Sequence, residues 1–345
     1  MIKINIPKNV KLIIKILEDN GYEAYAVGGC VRDAILNKEP NDWDITTSAM
    51  PQDVKRLFKK TIDTGIQHGT VTVMIEKVGY EVTTYRIDGE YEDGRHPKEV
   101  EFTSDLSFDL MRRDFTINAM AYNDKNGIVD EFDGVGDLKR HIIKCVGNPT
   151  DRFNEDALRI LRAVRFAAVL DFSIDEETEK SIRELADNLD KISKERIQAE
   201  LEKLIMSHNP EKLVIAYETG ITKVILPEID RLVEIKKFNF VMEKLSKMWT
   251  NHYLRWAALL SQTTKENAKN ILKGLKFDNK TVDTVSRIVE AARRILPTNR
   301  GELRRNIYEI REEIYPLYLK FMEIYQQEDY EEIEIIKREY KDIIE

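Results

Sequence analysis

Asp42 and Asp44 flank Trp43, a short distance after the glycine pair Gly28-Gly29. Side chains in a strand alternate faces. A strand over Trp43–Thr46 therefore puts both carboxylates on one side and Trp43 on the other, where an aromatic ring calls for a core. Two carboxylates beside a glycine turn that lets backbone approach closely suit a Mg²⁺ ion that also holds phosphate oxygens. Alone, the pattern equally reads as a solvated strand end. Glu81 offers a further carboxylate: it shares one strand face with Thr83, opposite Val82 and Thr84.

Two more segments bear charged groups at telling intervals. In Arg112-Arg113-Asp114-Phe115-Thr116-Ile117-Asn118, an arginine can fork to phosphate or a ribose hydroxyl, and an aspartate can accept from a 2′-OH. Asp114 could also cap a helix starting at Phe115. Further on, Arg159, Arg162 and Arg165 recur every third residue, along one helical face. Asp156 stands at the i, i+3 spacing that lets it meet Arg159. On spacing alone this is an Asp–Arg ion pair on an exposed helix.

The elements that must position these residues follow from pattern. A helix is expected over Lys8–Asn20, ended by Gly21, and strands over Ala24–Val27, Trp43–Thr46, Val71–Glu76 and Tyr80–Arg86. The last two form a hairpin with its turn at Val78-Gly79. Ile87 to Pro97 holds two glycines, several charges and no periodicity, and reads as a mobile loop. From about Thr150 strand signals vanish and helical periodicity takes over, with breaks at Asn209-Pro210, Gly220, Pro227, Gly274 and Pro297. Leu254 to Leu260 reads as core.

At 345 residues the chain is long enough for several compact units, and 42% hydrophobic residues supply real cores. No apolar run reaches the ~18 residues of a transmembrane helix, and the N-terminus shows no secretory leader. Cys30 and Cys145 are too few for a disulfide framework and indicate a reducing cytoplasm. The five histidines show no zinc spacing. A net charge of −8 argues against a general nucleic-acid coat protein but permits RNA binding through a local basic strip.

These motifs together resemble the DNA polymerase β-type nucleotidyltransferases. They are most similar to the class II tRNA nucleotidyltransferases (CCA-adding enzymes) and the bacterial poly(A) polymerases. Gly28-Gly29-Cys30-Val31-Arg32-Asp33, the two aspartates, Arg112 to Met120 and Glu155-Asp156-Ala157-Leu158-Arg159 carry the resemblance, which covers roughly residues 22 to 205.

The resemblance implies an α+β fold: a small mixed-sheet nucleotidyltransferase head followed by an all-α neck, body and tail. The expected bounds are 1–149 for the head, 150–208 for a neck that recognises the base, and 209–345 for a tRNA-binding body and tail. It implies Mg²⁺ on Asp42 and Asp44, with Glu81 as the third catalytic carboxylate. Gly28, Gly29, Arg32, Arg113, Asp114, Asn118, Arg162 and Arg165 would bind the nucleotide.

Asp156 and Arg159 match the family's base-reading motif, and the chemistry is consistent. Cytosine and adenine both offer an exocyclic amine donor beside a ring-nitrogen acceptor, which an aspartate and an arginine complement. Uracil and guanine invert that pattern and would leave buried polar groups unpaired.

The implied reaction is template-independent addition of C and A to a tRNA 3′ end from CTP and ATP, releasing pyrophosphate. The alternatives are an A-adding enzyme, a poly(A) polymerase, or a non-catalytic RNA-binding protein on the same scaffold. The segment Asp88 to Pro97 resembles the flexible loop of CCA- and A-adding enzymes and argues against a CC-adding one. No membrane association and no protein partner are expected.

Overall fold

The computed structural model describes residues 3–89, 100–248, 251–326 and 330–344. The chain divides into two compact units: residues 1–159 with 172–185, and residues 160–171 with 186–345.

The first unit is built on a seven-stranded mixed sheet. Its elements run α1 (Lys8–Asp19), β1 (Ala24–Val27), α2 (Gly29–Ile35), β2 (Ile45–Thr47), α3 (Pro51–Leu57), β3 (Thr61–Gly65), β4 (Thr70–Ile75), β5 (Val78–Thr84), β6 (Arg86–Asp88), β7 (Val100–Phe102) and α4 (Leu106–Met111). A 3₁₀ turn (Thr116–Asn118) follows, then β8 (Met120–Asn123), β9 (Gly127–Asp130), α5 (Gly134–Arg140), β10 (Ile142–Ile143) and α6 (Pro149–Glu155). Beyond it come α7 (Leu158–Leu170), β11 (Ser173–Ile174) and α8 (Glu176–Leu185). The main sheet has the order β3-β4-β5-β2-β1-β8-β9. Only the β2–β5 pair is parallel; the other neighbours are antiparallel.

Central placement explains the sequence of β1: all four of Ala24, Tyr25, Ala26 and Val27 are buried, as a strand covered on both faces requires. α1 buries Val10, Ile13, Ile14 and Leu17, the one-sided stripe of a helix lying on a core. The second unit, all helical among its described residues, begins with most of α7 and continues through α9 (Lys194–Ile205) and further helices as far as Ile344. Its core holds Leu254 to Leu260, as expected. There the Trp256 indole donates to Glu202 Oε2 at 2.7 Å and meets Phe277 edge-on.

The α+β class and the switch to helices hold, with local corrections. β2 starts at Ile45, so Asp42 and Asp44 precede the strand, and Trp43 is only half-buried. The hairpin turns at Glu76-Lys77, not Val78-Gly79: both turn residues have positive φ (50° and 69°). That is the backbone hand a tight hairpin favours. Gly79 lies inside β5 instead, where a Cβ would come within 2.8 Å of Thr72. The segment from Ile87 is not loop from its start. Arg86–Asp88 pairs antiparallel with Val100–Phe102, and Glu90 to Pro97 lie outside the described residues. Past Thr150 one short strand remains, β11, parallel to β10.

Candidate active site

The parallel β2–β5 ladder sets the segment that precedes β2 alongside β5. Its register pairs Ile45 with Val82 and Thr46 with Thr83, so one step earlier Asp44 stands beside Glu81. Asp42 stands two residues back, and its charge is felt at Asp44. Val27 N–H donates to the Asp44 carbonyl at 3.0 Å, which ties this segment to β1 before β2 formally begins.

Asp42, Asp44 and Glu81 are all exposed as residues. Even so, the Asp44 carboxyl is pushed up to about 6, first by desolvation, then by the charges of Asp42 and Glu81, with Arg113 opposing. Electrostatic strain of this kind, acid against acid, is what a cation relieves. Among the described residues no three acidic, histidine or cysteine side chains converge to hold a metal ion by themselves. The donors present are hard carboxylate oxygens with no nitrogen or sulfur. They fit a hard divalent cation whose other ligands are water and phosphate oxygens.

Beside the carboxylates, β1 runs into Gly28, whose φ of 83° suits glycine. Gly28 N–H donates to the Met120 carbonyl at 3.0 Å. A Cβ here would stand 3.0 Å from Arg113 Nη1, so the turn is narrow because an arginine lies across it. Gly29 opens α2, and the Arg32 guanidinium lies over it.

A chain of side-chain bonds then joins the arginines to the turn after α4. Arg32 Nη1 donates to Asn118 Oδ1 at 2.6 Å and Nε to Asp33 at 2.8 Å. The Asn118 amide donates in turn to Asp114 Oδ1 at 3.1 Å. Asp114 also accepts its neighbour's N–H, from Phe115 at 2.8 Å. The 3₁₀ turn at Thr116–Asn118 has no side-chain cap at Phe115, so Asp114 braces a turn and does not cap a regular helix.

Asp156 and Arg159 are arranged differently from the expectation. The helix breaks at Asp156, which is extended (φ −145°) between α6 and α7. Its Oδ1 accepts the Leu158 N–H at 3.0 Å, capping α7. The Arg159 guanidinium does not pair with Asp156. It bonds Glu155 at 2.6 Å and the carbonyls of Arg152 and Arg112 at 3.3 and 3.1 Å. A residue spacing of three does not make a pair when the helix starts between its members.

Arg162 and Arg165 belong to the second unit, and Glu200 on α9 attracts both. Arg165 is buried, donates to Glu200 Oε2 at 2.6 Å and stacks over Phe166.

Several functional neighbours escaped sequence reasoning. Asp109 on α4 holds Arg112 and Arg113; its signal was the acid–arginine spacing of three and four residues. Glu155 carried the same kind of signal toward Arg159; Glu200 meets Arg162 and Arg165 from a distant part of the chain and carried none.

A mixed sheet with carboxylates at the head of the β2–β5 ladder, next to a glycine turn and an arginine–aspartate cluster, defines a nucleotidyltransferase head. The family model described as "Poly A polymerase head domain" matches residues 24–144. Two further models match later parts of the chain: "Probable RNA and SrmB- binding site of polymerase A" over residues 171–233, and "tRNA nucleotidyltransferase domain 2 putative" over 247–344. A CCA-adding enzyme of Limosilactobacillus reuteri is 54% identical over 198 residues, 57% of this chain and 49% of the relative. One from Leuconostoc mesenteroides is 43% identical over 281 residues, 80% of this chain and 69% of the relative. The crystal structure of the Bacillus stearothermophilus CCA-adding enzyme in complex with CTP superposes with a TM-score of 0.77 at 33% identity. That match covers 94% of this chain and 80% of the other.

The chain belongs to the class II tRNA nucleotidyltransferase family. It spans about half the length of the first curated relatives it matches. Enzymes of this family generally use a divalent metal ion.

Proposed function

We propose that this protein adds C and A to the 3′ end of tRNA without a template, using CTP and ATP. The observation that carries the reading is the register that sets Asp44 beside Glu81, with the charge of Asp42 felt at Asp44, next to the Gly28-Gly29 turn. The relatives support it, since they are named CCA-adding enzymes and one was solved with CTP.

Asp42 and Asp44, with Glu81 alongside, are the groups that would hold Mg²⁺. The ion would supply a lowered pKa for the tRNA 3′-OH and charge neutralisation for the triphosphate. The residues themselves orient and select. The glycine turn admits phosphate oxygens to the backbone, and Arg32 and Arg113 place positive charge along that approach. Asp114, fixed through Asn118, presents an acceptor to a ribose 2′-OH. Arg113 Nε has no acceptor among the described residues. Asp156 and Arg159 read the base once Arg159 redirects a donor from its present partners; Arg162 and Arg165 remain candidates for the triphosphate.

We assign the head to 1–149, the neck to 150–208 and the tRNA-binding body and tail to 209–345. The three family-model matches, at 24–144, 171–233 and 247–344, support this order. The free, buried Cys30 and Cys145 support a reducing cytoplasm, and among the described residues no helix is long and apolar enough to cross a membrane.

Incubation with tRNA transcripts lacking CCA, or ending in CC, with each labelled nucleotide and Mg²⁺ tests the reading. Addition of C, C and A is expected, with no use of UTP or GTP. Addition of A alone to the CC end would make it an A-adding enzyme, and a long A tail a poly(A) polymerase. No incorporation would leave an RNA-binding protein.

A further inference from the structure

Below the Gly28 turn lies a carboxylate that none of the motifs includes. Asp109 is fully buried on α4. Its Oδ1 accepts from Arg112 Nε and Nη2 at 3.0 and 2.8 Å. Its Oδ2 accepts from Arg113 Nη2 at 3.2 Å and from the Thr46 hydroxyl at 3.1 Å. Burial opposes ionisation of this carboxyl, but the Arg112 and Arg113 guanidiniums outweigh it and hold the group below the ordinary carboxylate range. Asp109 is thus a charged hub with its bonds aimed at separate parts of the site.

Each of those bonds leads to a residue with a stake in the nucleotide. Thr46 lies two residues after Asp44 on the segment that bears the carboxylates. Arg113, held by Nη2, turns Nη1 toward Gly28 and is felt electrostatically at Asp44. Arg112, held through two donors, offers its carbonyl to Arg159 Nη2 at 3.1 Å. A neutral or smaller residue at 109 would release two guanidiniums and leave the Thr46 hydroxyl without this acceptor.

We propose that Asp109 is a positioning residue for the incoming nucleotide: it orients Arg113 against the Gly28 turn and locks the Arg112 segment to the strand that follows Asp44. This rests on the nucleotidyl-transfer reading above. It acts through the arginines and touches no substrate itself. A buried pair that merely stabilised the fold would need no link to β2, and a packed apolar side chain would serve as well. The shared oxygen joining Arg113 to Thr46 is what a positioning role calls for.

The test is equilibrium binding of CTP in Mg²⁺ buffer, read by calorimetry on protein of verified melting cooperativity. Asp109→Asn is expected to weaken CTP binding by about tenfold or more, the scale seen when a supporting partner of a site is lost. A cycle with Arg113→Gln supplies the reading a structural role would not move. Because Asp109 works in part through Arg113, the double variant should lose clearly less CTP affinity than the sum of the two single losses. Additive losses, or unchanged affinity in Asp109→Asn, would overturn the proposal. Should Asp109→Asn fail to fold, Thr46→Val removes one bond to the same oxygen and leaves the ion pairs. It should weaken CTP binding a few-fold, and unchanged affinity there is equally fatal. A wild-type chain that binds no CTP would remove the functional reading and this inference together; wild-type binding with unaffected variants would remove the inference alone.

Discussion

Asp44 is the residue where charge, position and stability conflict. Its carboxyl is raised from an ordinary 3.8 to about 6, by desolvation first and by Asp42 and Glu81 next. A group whose pKa is raised on folding contributes stability below its unfolded value and loses that contribution as pH rises through the folded value. In metal-free protein, therefore, Asp44 stabilises the fold at pH 4 and opposes it at pH 8. Asp44→Asn should raise the Tm at pH 8 in the presence of a chelator and leave it little changed at pH 4. The same variant should lower nucleotide addition by about 10³-fold, since a cation ligand at the reacting phosphate contributes several kcal/mol to the barrier. Thermal melts at the two pH values and initial rates with CTP check both halves. An unchanged or lowered Tm at pH 8 would show that the carboxylates do not repel one another, and normal rates would remove Asp44 from the catalytic set. The sequence made Asp42, Asp44, the glycine pair and the arginine–aspartate cluster legible, because each is a short local motif. Asp109 was not, because its meaning depends on Thr46, which only the packing of α4 beneath β2 brings near.

At the scale of elements, strand and helix types were readable from period, whereas junctions were not. β1 and α1 fell where a short apolar run and the apolar stripe put them. The hairpin turn was misplaced by two residues because glycine was taken as the turn signal, while Glu76 and Lys77 adopt positive φ themselves. The junction between α6 and α7 was missed for a related reason. Its breaker, Asp156, is neither Gly nor Pro, and it ends one helix while capping the next. This double duty makes a separable prediction. Asp156→Asn keeps an oxygen acceptor for the Leu158 N–H and should hold the Tm close to wild type. Asp156→Ala loses the cap and should cost about 1 kcal/mol. If Asp156 also reads the base, both variants should impair use of CTP and ATP by about fivefold or more, since each correct base-edge contact is worth about 1–3 kcal/mol. Denaturant melts beside single-nucleotide incorporation rates decide the matter. Activity that follows stability, near normal in the Asn variant and reduced in the Ala variant, would make Asp156 a cap and nothing more.

For the whole molecule, the chain passes between its two units more than once. Residues 160–171 belong to the second unit and 172–185 return to the first. Sequence reading placed a head boundary at 149, where strand signals fade, because a late return of chain leaves no compositional mark. The returning segment is tightly built in. Phe172 is buried and stacks on His141 at 4.9 Å. β11 pairs with β10, and Ser173 N–H donates to the His141 carbonyl at 3.0 Å. On α8, Thr178 Oγ1 accepts the Cys145 N–H at 3.2 Å, the Ser181 hydroxyl meets that of Thr150 at 3.1 Å, and Ile182 is fully buried. Removing this segment uncovers the surfaces that Phe172 and Ile182 seal, at about 1.5–3 kcal/mol for each side chain. Each orphaned hydrogen bond adds about 1 kcal/mol. Those losses approach the 5–15 kcal/mol that typically separates a folded domain from its unfolded chain. A protein truncated after Pro149 should therefore lose cooperative thermal unfolding and expose apolar surface to a hydrophobic dye, while the full chain melts cooperatively. Calorimetry and dye binding on the two proteins, side by side, make the comparison. A sharp, reversible melt from residues 1–149 alone would show that the sheet and its first helices suffice, and that the returning helix only decorates a unit already complete.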